Sequence, residues 1–415
     1  MKKLLLILIL LVFGIYFSFK INFVHFNPVK TMKSIFKKEN KKGVSSFKAL
    51  CLSLANRVGV GSLSGVSLSL YLGGIGSVFW MWISTIICSS TTMIETVVSL
   101  KYRKKINNYE YEGGPFYYIS LGLKKYKLAI LYAIVFLISY AGGFLTIQSN
   151  TISRVVTEIV PIKEFLVGII IVLLTSFVIF KNKKELIDIV SKIIPFITFV
   201  YIITCLVIII PNYCFIDDII KIIIKEAFNP KCFVTGFTVG ITKSIFSTEA
   251  GIGTGTIASS SATNSTPFEQ GLVQVFGVFF DTFIISTLTV FVVMLSPSLN
   301  LNLVNVNGIE ITNYAFIYNL GSIGGLIITI SIILFAYSTI IGGYYYGEVA
   351  FKYIFNNKYT LYFKVVVLLL LFISTIISSD IIWNIIDKFI IVLGLINVYS
   401  VYKLEKDALS MIKYK

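Results

Sequence analysis

Two long apolar segments of this chain are each interrupted by a cluster of glycine and small polar residues. The first cluster is residues 58–65 (VGVGSLSG) and the second is residues 247–255 (STEAGIGTG). Glycine weakens a helix because it gains more backbone freedom than other residues when the helix melts. Inside a bilayer an unwound backbone persists only where protein or a wet cavity surrounds it. Two such breaks at corresponding places in two halves indicate a secondary transporter with its site at the breaks.

The composition is that of an integral membrane protein. Of the 415 residues, 56% are hydrophobic and 13% are charged, and the mean hydropathy is +0.87, whereas about a quarter of a soluble domain is charged. The net charge of +16 falls in loops between apolar segments, so we attribute it to membrane orientation and exclude nucleic acid as a partner. The five cysteines lack CxxC spacing and His25 is the only histidine, so neither a metal centre nor histidine-based catalysis is expected.

Eleven apolar segments are predicted to be membrane helices. Residues 4–19 follow two lysines as a signal peptide would, but no small-residue cleavage site comes after them, so we interpret them as a retained first helix. The other ten form two sets of five, and because five is odd, the sets have opposite topology. The interrupted segment is the first of each set. The predicted spans are 4–23, 47–71, 75–100, 128–150, 163–180, 189–210, 233–260, 270–295, 320–346, 360–379 and 381–402.

The distribution of basic residues predicts the orientation. Residues 20–48 contain eight lysines, whereas residues 296–319 contain no lysine or arginine. By the positive-inside rule the N-terminus lies outside and the C-terminus lies in the cytoplasm. The predicted organisation is an N-terminal transmembrane helix (1–24), a basic cytoplasmic linker (25–46), a first five-helix repeat (47–210), an extracellular connection (211–232), a second five-helix repeat (233–402) and a cytoplasmic tail (403–415).

Several blocks between about residue 45 and residue 400 follow the order of one transporter family. They are 54–61 (LANRVGVG), 73–82 (GGIGSVFWMW), 113–119 (GGPFYYI), 246–253 (FSTEAGIG), 335–339 (FAYST) and 346–348 (YGE). These blocks resemble the alanine/glycine:cation symporters. The resemblance implies an all-α membrane protein with a LeuT-like inverted 5+5 repeat, two discontinuous helices and one extra N-terminal helix. It also implies Na⁺-coupled uptake of a small neutral amino acid by a functional monomer in a bacterial or archaeal cell membrane, with no cofactor beyond the coupling ion.

Four positions depart from the family pattern. Ser62 and Thr248 stand where asparagine is expected, Ile75 replaces a proline, and Gly343 stands where tryptophan is usual. Loss of the two amides removes hydrogen-bond partners, and the change to glycine is expected to enlarge the pocket. These departures bear on which amino acid is accepted.

The resemblance and the two breaks together define a candidate substrate site. A half-helix N-terminus at residues 61–64 presents free N–H groups to a carboxylate, and free carbonyls near Gly59 and near residues 247–248 suit an ammonium group or Na⁺. Glycine lets a ligand approach the backbone, although close helix packing is the alternative explanation for it. The candidate substrate-binding residues are Gly59, Gly61, Ser62, Gln148, Ser247, Thr248, Gly251 and Thr339.

The resemblance to LeuT-like proteins also suggests a position for Na⁺. It lies between carbonyls at or near Val58 and the hydroxyls of Ser338 and Thr339. In the alternative interpretation, these hydroxyls bond back to their own helix, as is common in membranes. Gln148 similarly has two interpretations, substrate contact or a hydrogen bond that joins helices.

Ionisable residues inside the predicted spans are costly and are therefore functional candidates. The carboxylates are Glu95, Glu249, Asp281 and Asp387, and Arg57 comes just before the first break. Glu249 is expected to bond the free N–H groups of the second half-helix, with direct contact to the substrate ammonium group as the alternative. The expected partner of Arg57 is Asp281 or Asp387, as an inner gate, and that of Glu95 is Lys101 or Arg103.

Three alternatives to a Na⁺-coupled symporter stay open. The same scaffold without its usual amides suits an amino-acid sensor that does not transport, although no added cytoplasmic domain is present in the sequence. Coupling to H⁺ instead of Na⁺ would make uptake depend on pH and not on sodium. An intramembrane protease using Asp281 and Asp387 is disfavoured because neither aspartate has a GxGD-type context.

Overall fold

The structure, a computed structural model, describes residues 2–37, 43–263, 265–300 and 308–413. Within these ranges it leaves out the side chains of Lys2, Lys3, Leu6, Asn300, Asp380, Ile381, Asn384, Ile385 and Asp387. Two helices, α1 (Lys2–Lys20) and α2 (Pro28–Ile35), precede the first predicted repeat. That repeat contains α3 (Ser46–Arg57), α4 (Val66–Gly73), α5 (Ser77–Lys101), α6 (Pro115–Tyr117), α7 (Tyr126–Ser139), α8 (Leu145–Ile159), α9 (Glu164–Ile179) and α10 (Lys183–Ile209).

The second half of the chain is helical in the same way. Helix α11 (Ile216–Ala227) lies in the connection between the predicted repeats. The second predicted repeat contains α12 (Phe233–Thr248), α13 (Gly255–Ser260), α14 (Pro267–Phe279), α15 (Thr287–Met294), α16 (Gly308–Phe355), α17 (Thr360–Ser374) and α18 (Ser379–Lys403), and α19 (Glu405–Lys413) follows it. Turns of π-helix join α7 to α8 at Tyr140–Phe144 and α14 to α15 at Phe280–Ser286.

Five helical stretches of the described chain are individually long and apolar enough to cross a membrane. They are Ser77–Lys101, Tyr126–Ile159, Lys183–Ala227, Pro267–Met294 and Gly308–Phe355, and the bent pair α3 and α4 passes the same criterion together. Shorter apolar helices cover Ile7–Lys20, Glu164–Ile179 and Thr360–Ser374. The prediction of an all-α membrane protein is therefore confirmed, while the count of eleven spans and the inverted repeat stay predictions.

Three elements lie where the sequence indicated only connections. A two-stranded antiparallel hairpin pairs β1 (Lys104–Asn107) with β2 (Glu110–Glu112). Helix α2 occupies the basic linker, where the Asn27 side chain accepts a hydrogen bond from Lys30 N at 3.0 Å and Pro28 fits the first turn. Helix α11 occupies the predicted extracellular connection. Each is too short to have produced a membrane-span pattern.

The two broken helices are tied together at the end predicted to be cytoplasmic. The Thr263 N–H donates to the Val44 carbonyl at 2.9 Å, and the hydroxyls of Ser46 and Ser265 lie 2.6 Å apart. This contact places the start of α3 beside the end of α13. The two breaks are consequently held at neighbouring positions in the core.

Candidate functional site

The first break begins directly after α3. Val58 has φ −82° and ψ 85°, outside the helical region, and the chain re-enters a helix through the π-turn Gly61–Gly65 before α4. The two half-helices are bent by 50° relative to each other. The structure thus bends within the glycine-rich cluster, where the sequence predicted an interruption.

The second break is a left-handed turn between α12 and α13. Glu249 has φ 54°, and Gly251 and Gly253 have φ values of 80° and 92°. Glycine adopts such angles without a Cβ clash. A Cβ at Gly253 would lie 2.7 Å from both Asn397 Oδ1 and Pro115 Cγ, so conformation and space both require glycine there.

A buried cluster of oxygen atoms joins the two breaks. The Ser62 hydroxyl, on the first π-turn, donates to Asp281 Oδ1, and the Ser247 hydroxyl, on the last turn of α12, donates to Asp281 Oδ2 at 2.6 Å. The two hydroxyl oxygens lie 3.0 Å apart, and Ser62 Oγ is 2.9 Å from the Arg57 carbonyl oxygen. Asp281 itself lies on the π-turn that follows α14 and is fully buried.

This cluster has the chemistry of a cation site. It holds one carboxylate, two hydroxyls and a carbonyl, which are hard oxygen ligands of the kind that hard cations prefer. Among the described residues, no basic side chain forms an ion pair with Asp281. A buried carboxylate without an ionic partner is costly, so a cation bound beside Asp281 would stabilise the centre.

Arg57 has partners other than the predicted ones. Its Nε donates to the Thr248 carbonyl at 2.9 Å, and its Nη1 lies 3.1 Å from the Gln274 carbonyl and 3.2 Å from Gln274 Oε1. In the described part of the chain it forms no ion pair with Asp281, so this structure lacks that one of the two predicted pairs, and the pair with Asp387 stays a prediction. The side chain of Asp387, the other predicted partner, lies outside the described residues. Arg57 therefore links the end of α3 to the end of α12.

Glu249 binds side chains rather than the free N–H groups that we predicted. One carboxylate oxygen accepts from the Tyr140 hydroxyl and the other accepts from the Thr254 hydroxyl at 2.8 Å. Tyr140 is on the π-turn between α7 and α8, and Thr254 is the residue before α13. Glu249 consequently ties the second break to the first predicted repeat, a role that the local sequence did not reveal.

Glu95 lies within the core instead of pairing with a loop cation. Its Oε2 accepts from Asn397 Nδ2 at 2.8 Å, and the same amide nitrogen donates to the Gly251 carbonyl at 2.9 Å. Lys101 pairs with Asp407 at 2.6 Å, and Arg103 donates to the Ser260 and Ala262 carbonyls. The predicted partners of Glu95 were therefore wrong, because Asn397 on α18 meets Glu95 from a distant part of the chain.

The second group of candidates meets at Gly59. Thr339 Oγ1 lies 2.6 Å from the Ala55 carbonyl and 2.9 Å from the Phe335 carbonyl, and a Cβ at Gly59 would lie 2.6 Å from the same oxygen. The Ser338 hydroxyl bonds back to Phe335 at 2.8 Å. Thr339 thus reaches the first broken helix, whereas Ser338 follows the alternative interpretation of bonding within its own helix.

Gln148 also faces Gly59. Its Oε1 would lie 3.6 Å from a Cβ there, and this buried oxygen has no hydrogen-bond partner within the described residues. An unpaired buried acceptor beside the first break is available to a ligand donor.

Two other candidate residues, Thr248 and Gly251, do not face the first break. The Thr248 hydroxyl bonds back to Ser244 at 2.8 Å, and a Cβ at Gly251 would meet Leu10 Cδ2 at 2.8 Å.

Aromatic side chains pack against the first break. The Phe246 ring packs 4.9 Å from both the Phe144 and Trp383 rings, and a Cβ at Gly61 would lie 3.1 Å from Phe246. The Lys243 ammonium lies 4.4 Å from the centre of the Trp383 ring. Lys243 was not among the predicted site residues, although a lysine within an apolar span is itself a signal of a functional position.

The absence of a tryptophan at position 343 does not open the pocket there, contrary to our expectation. A Cβ at Gly343 would lie 2.6 Å from Leu145 Cδ2 and 3.3 Å from Asn56 Oδ1. Leu145 already occupies the space next to the glycine. The pocket is therefore not enlarged simply because the side chain at 343 is small.

Gly343→Trp is expected to destabilise the protein by overpacking, at about 1–3 kcal/mol or more. Leu145→Ala should relieve part of that cost, so the double variant should lose less stability than the two single variants added together. Thermal unfolding in detergent measures all three. Gly142→Ala is the matched control, since nothing lies within 4 Å of a Cβ at that position. Strictly additive losses would contradict the contact between Leu145 and position 343.

Long apolar helices and two interrupted helices that meet at a buried polar centre define a multi-pass membrane protein of the transporter class. The sequence profile of the sodium:alanine symporter family matches residues 1–414. The chain belongs to this family, as its resemblance to the alanine/glycine:cation symporters indicated. It is accordingly a transporter and not an enzyme.

Individual relatives are similar along nearly their whole length. The amino-acid carrier protein AlsT of Bacillus subtilis is 32% identical over 96% of this chain and 88% of its own. The probable sodium/glutamine symporter GlnT of Bacillus subtilis is 30% identical over 99% and 87%. The sodium/alanine symporter AgcS of Methanococcus maripaludis is 31% identical over 92% and 87%.

Proposed function

We propose that the protein is a secondary active transporter that couples Na⁺ to the inward movement of a small neutral amino acid of the alanine or glycine type. One observation carries this proposal: Asp281, fully buried, is shared by hydroxyls from both broken helices. The names of two relatives pair sodium with a neutral amino acid, alanine for AgcS and glutamine for GlnT. Such coupling requires a cation-binding centre between the two interrupted helices.

Na⁺ at the Asp281 cluster would make ion and substrate binding depend on each other. The substrate carboxylate is proposed to bind at the N–H groups of residues 61–64, next to the Ser62 hydroxyl that bonds Asp281. Two carboxylates this close repel each other strongly where the dielectric constant is low. A Na⁺ ion beside Asp281 removes that repulsion, and by linkage the substrate raises the affinity for Na⁺ by the same factor.

A second Na⁺ position lies among Val58, Ser338 and Thr339. The contact of Thr339 Oγ1 with the Ala55 carbonyl supports it, because that hydroxyl already reaches the backbone next to the first break. Ser338 would have to turn away from the Phe335 carbonyl in order to contribute. The Asp281 cluster therefore takes precedence, since it also supplies a negative charge.

The substrate ammonium group is proposed to lie near Gly59. Gln148 Oε1 offers an unpaired acceptor there, and the glycine keeps a side chain out of the space between them. The Phe246 ring, which packs against Trp383, lies next to Gly61 in the same break. A small side chain on the substrate fits a centre enclosed in this way.

The proposed architecture is the inverted 5+5 repeat with an extra N-terminal helix, eleven spans in all. It places the N-terminus outside and the C-terminus in the cytoplasm of a bacterial or archaeal cell. The matched breaks support the repeat, and the lysine-rich residues 20–48 support the orientation. Alternating access by a monomer follows from this arrangement, because one repeat can rock against the other around the breaks.

Uptake into proteoliposomes tests the proposal. Radiolabelled glycine, alanine, serine and glutamine are offered with an inward Na⁺ gradient, with an inward H⁺ gradient, or with neither. Accumulation driven by the Na⁺ gradient is expected for at least one of them. Accumulation that follows the H⁺ gradient alone would replace Na⁺ by H⁺. Saturable binding in detergent without any uptake would instead identify a sensor.

A further inference from the structure

A cavity lies where the basic linker meets the second half of the chain, next to α2 and α14. It encloses about 620 Å³ with its open side included. Its walls are almost entirely apolar and include His25, Phe26, Met32, Val275, Phe276 and Phe279. Two of these wall residues, Phe26 and Phe279, stack on each other with ring centres 5.6 Å apart. None of these residues belongs to the site at the two breaks.

Helix α2 presents two parallel stripes beside this cavity. Val29, Met32 and Phe36 are spaced by three and four residues and are 63%, 45% and 67% exposed. The next stripe is basic and consists of Lys30 and Lys33 on the helix and of Lys37 just beyond it, whose ammonium group also pairs with Glu269 at 2.8 Å. The opposite face, with Thr31, Ser34 and Ile35, is buried. A helix with an exposed apolar stripe next to a lysine stripe is typical of the membrane–water interface.

His25 is a buried polar group in the wall of the cavity. It is 2% exposed, and neither ring nitrogen has a hydrogen bond within the described residues. Burial lowers the pKa of His25 to about 4, so the ring is neutral and offers one donor and one acceptor. An unpaired buried polar group lowers stability. A partner from outside the chain would remove that cost.

We propose that this cavity is a binding site for an anionic phospholipid of the cytoplasmic leaflet. An acyl chain lies against Phe26, Phe276 and Phe279, and the phosphate of the headgroup accepts hydrogen bonds from His25 and from the lysine stripe of α2. Residues 20–38 contain five lysines and no acidic residue. Such a segment next to the end of an apolar helix attracts anionic lipid.

The position of the cavity favours a lipid over a protein partner. Helix α1 ends at Lys20, so residues 24–36 begin where a membrane helix leaves the hydrocarbon. The exposed stripe of Val29, Met32 and Phe36 borders the cavity through Met32, which belongs to both. An acyl chain can therefore pass from the bilayer into the cavity while its headgroup stays at the level of the lysines.

Lipid titration of the purified full-length protein in detergent tests this site. Phosphatidylglycerol is compared with phosphatidylcholine of the same acyl chains and with inorganic phosphate, and both the melting temperature and the lipid retained in native mass spectrometry are measured. Phosphatidylglycerol should be retained and should raise the melting temperature. Phosphatidylcholine should act more weakly, and phosphate should have no effect. Equal effects of the two lipids, or an effect of phosphate alone, would overturn the proposal.

Three variants separate the parts of the site. Met32→Trp fills the cavity at a half-exposed position and should abolish lipid retention. His25→Phe preserves the apolar wall and should remove the preference for phosphatidylglycerol. Lys33→Gln should weaken binding of that lipid about fivefold. Lys221→Gln, on the exposed α11, is the charge-matched control and should bind as the unaltered protein does. Unchanged retention in both Met32→Trp and His25→Phe would place the lipid elsewhere.

Discussion

Asp281→Asn is expected to abolish uptake driven by Na⁺ while leaving the protein folded. The amide has the shape of the carboxylate, and its oxygen can still accept from Ser62 or Ser247. The negative charge is lost, and opposite charges about 4 Å apart are worth about 4 kcal/mol at an effective dielectric constant of about 20. The affinity for Na⁺ should therefore fall by about 100-fold or more. The Na⁺ dependence of uptake in proteoliposomes and of thermal stability in detergent measures this change.

Comparison variants locate the ion. Thr339→Val removes the hydroxyl of the second candidate position and should reduce Na⁺ affinity less than Asp281→Asn, because a neutral ligand is lost rather than a charge. Asp217→Asn changes an exposed carboxylate on α11 and should leave the Na⁺ dependence unchanged. If Asp281→Asn keeps normal stabilisation by Na⁺ while Thr339→Val loses it, the ion lies among Val58, Ser338 and Thr339 instead.

The two interruptions were predictable because their cause is local. Glycine density within an apolar segment is visible in residues 58–65 and 247–255, and the bend after Val58 and the left-handed turn at Glu249 lie within these clusters. The helical segments were predictable for the same reason. In a membrane, a long apolar segment must satisfy its backbone hydrogen bonds internally, and a helix does so.

The partners of the charged residues were not predictable, because they come from distant parts of the chain. Glu95 meets Asn397, which is 302 positions away, and Glu249 meets Tyr140, which is 109 positions away. The π-turn at Phe280–Ser286, on which Asp281 lies, has no glycine or proline to signal it. The surroundings of Gly343 were not predictable either, because Leu145, which is distant in sequence, occupies the space next to this glycine.

Arg57→Gln is expected to destabilise the protein severely, because the buried charge of Arg57 acts on three buried carboxylates, although it forms an ion pair with none of them within the described residues. Glu95, Glu249 and Asp281 are each about 1% exposed or less, and so is Arg57. The guanidinium group also satisfies the last carbonyl of α12, where the helix dipole favours positive charge. Removing a buried charge that compensates others costs about 3–5 kcal/mol. Thermal unfolding in detergent, followed by size-exclusion chromatography, measures the loss.

Arg57→Lys separates the charge of Arg57 from its geometry. Lysine keeps the positive charge but lacks the planar fork that reaches Thr248 and Gln274 together. Glycines at 255 and 277 leave room for that fork, since a Cβ at either would lie within 2.7 Å of a guanidinium nitrogen. The lysine variant should fold and still bind Na⁺, but its maximal uptake rate should fall because the ends of α3 and α12 are no longer held together.

Exchanging the charges of Arg57 and Asp281 distinguishes a positioning role of Arg57 from ionic gating. If Arg57 acted as the partner of Asp281 in a gate, exchanging the two charges in the Arg57→Asp and Asp281→Arg double variant would restore uptake. The structure instead gives Arg57 carbonyl and amide partners, so the double variant should stay inactive. Normal uptake by Arg57→Ala would contradict both roles, since neither the charge nor the link between the two broken helices would then be needed.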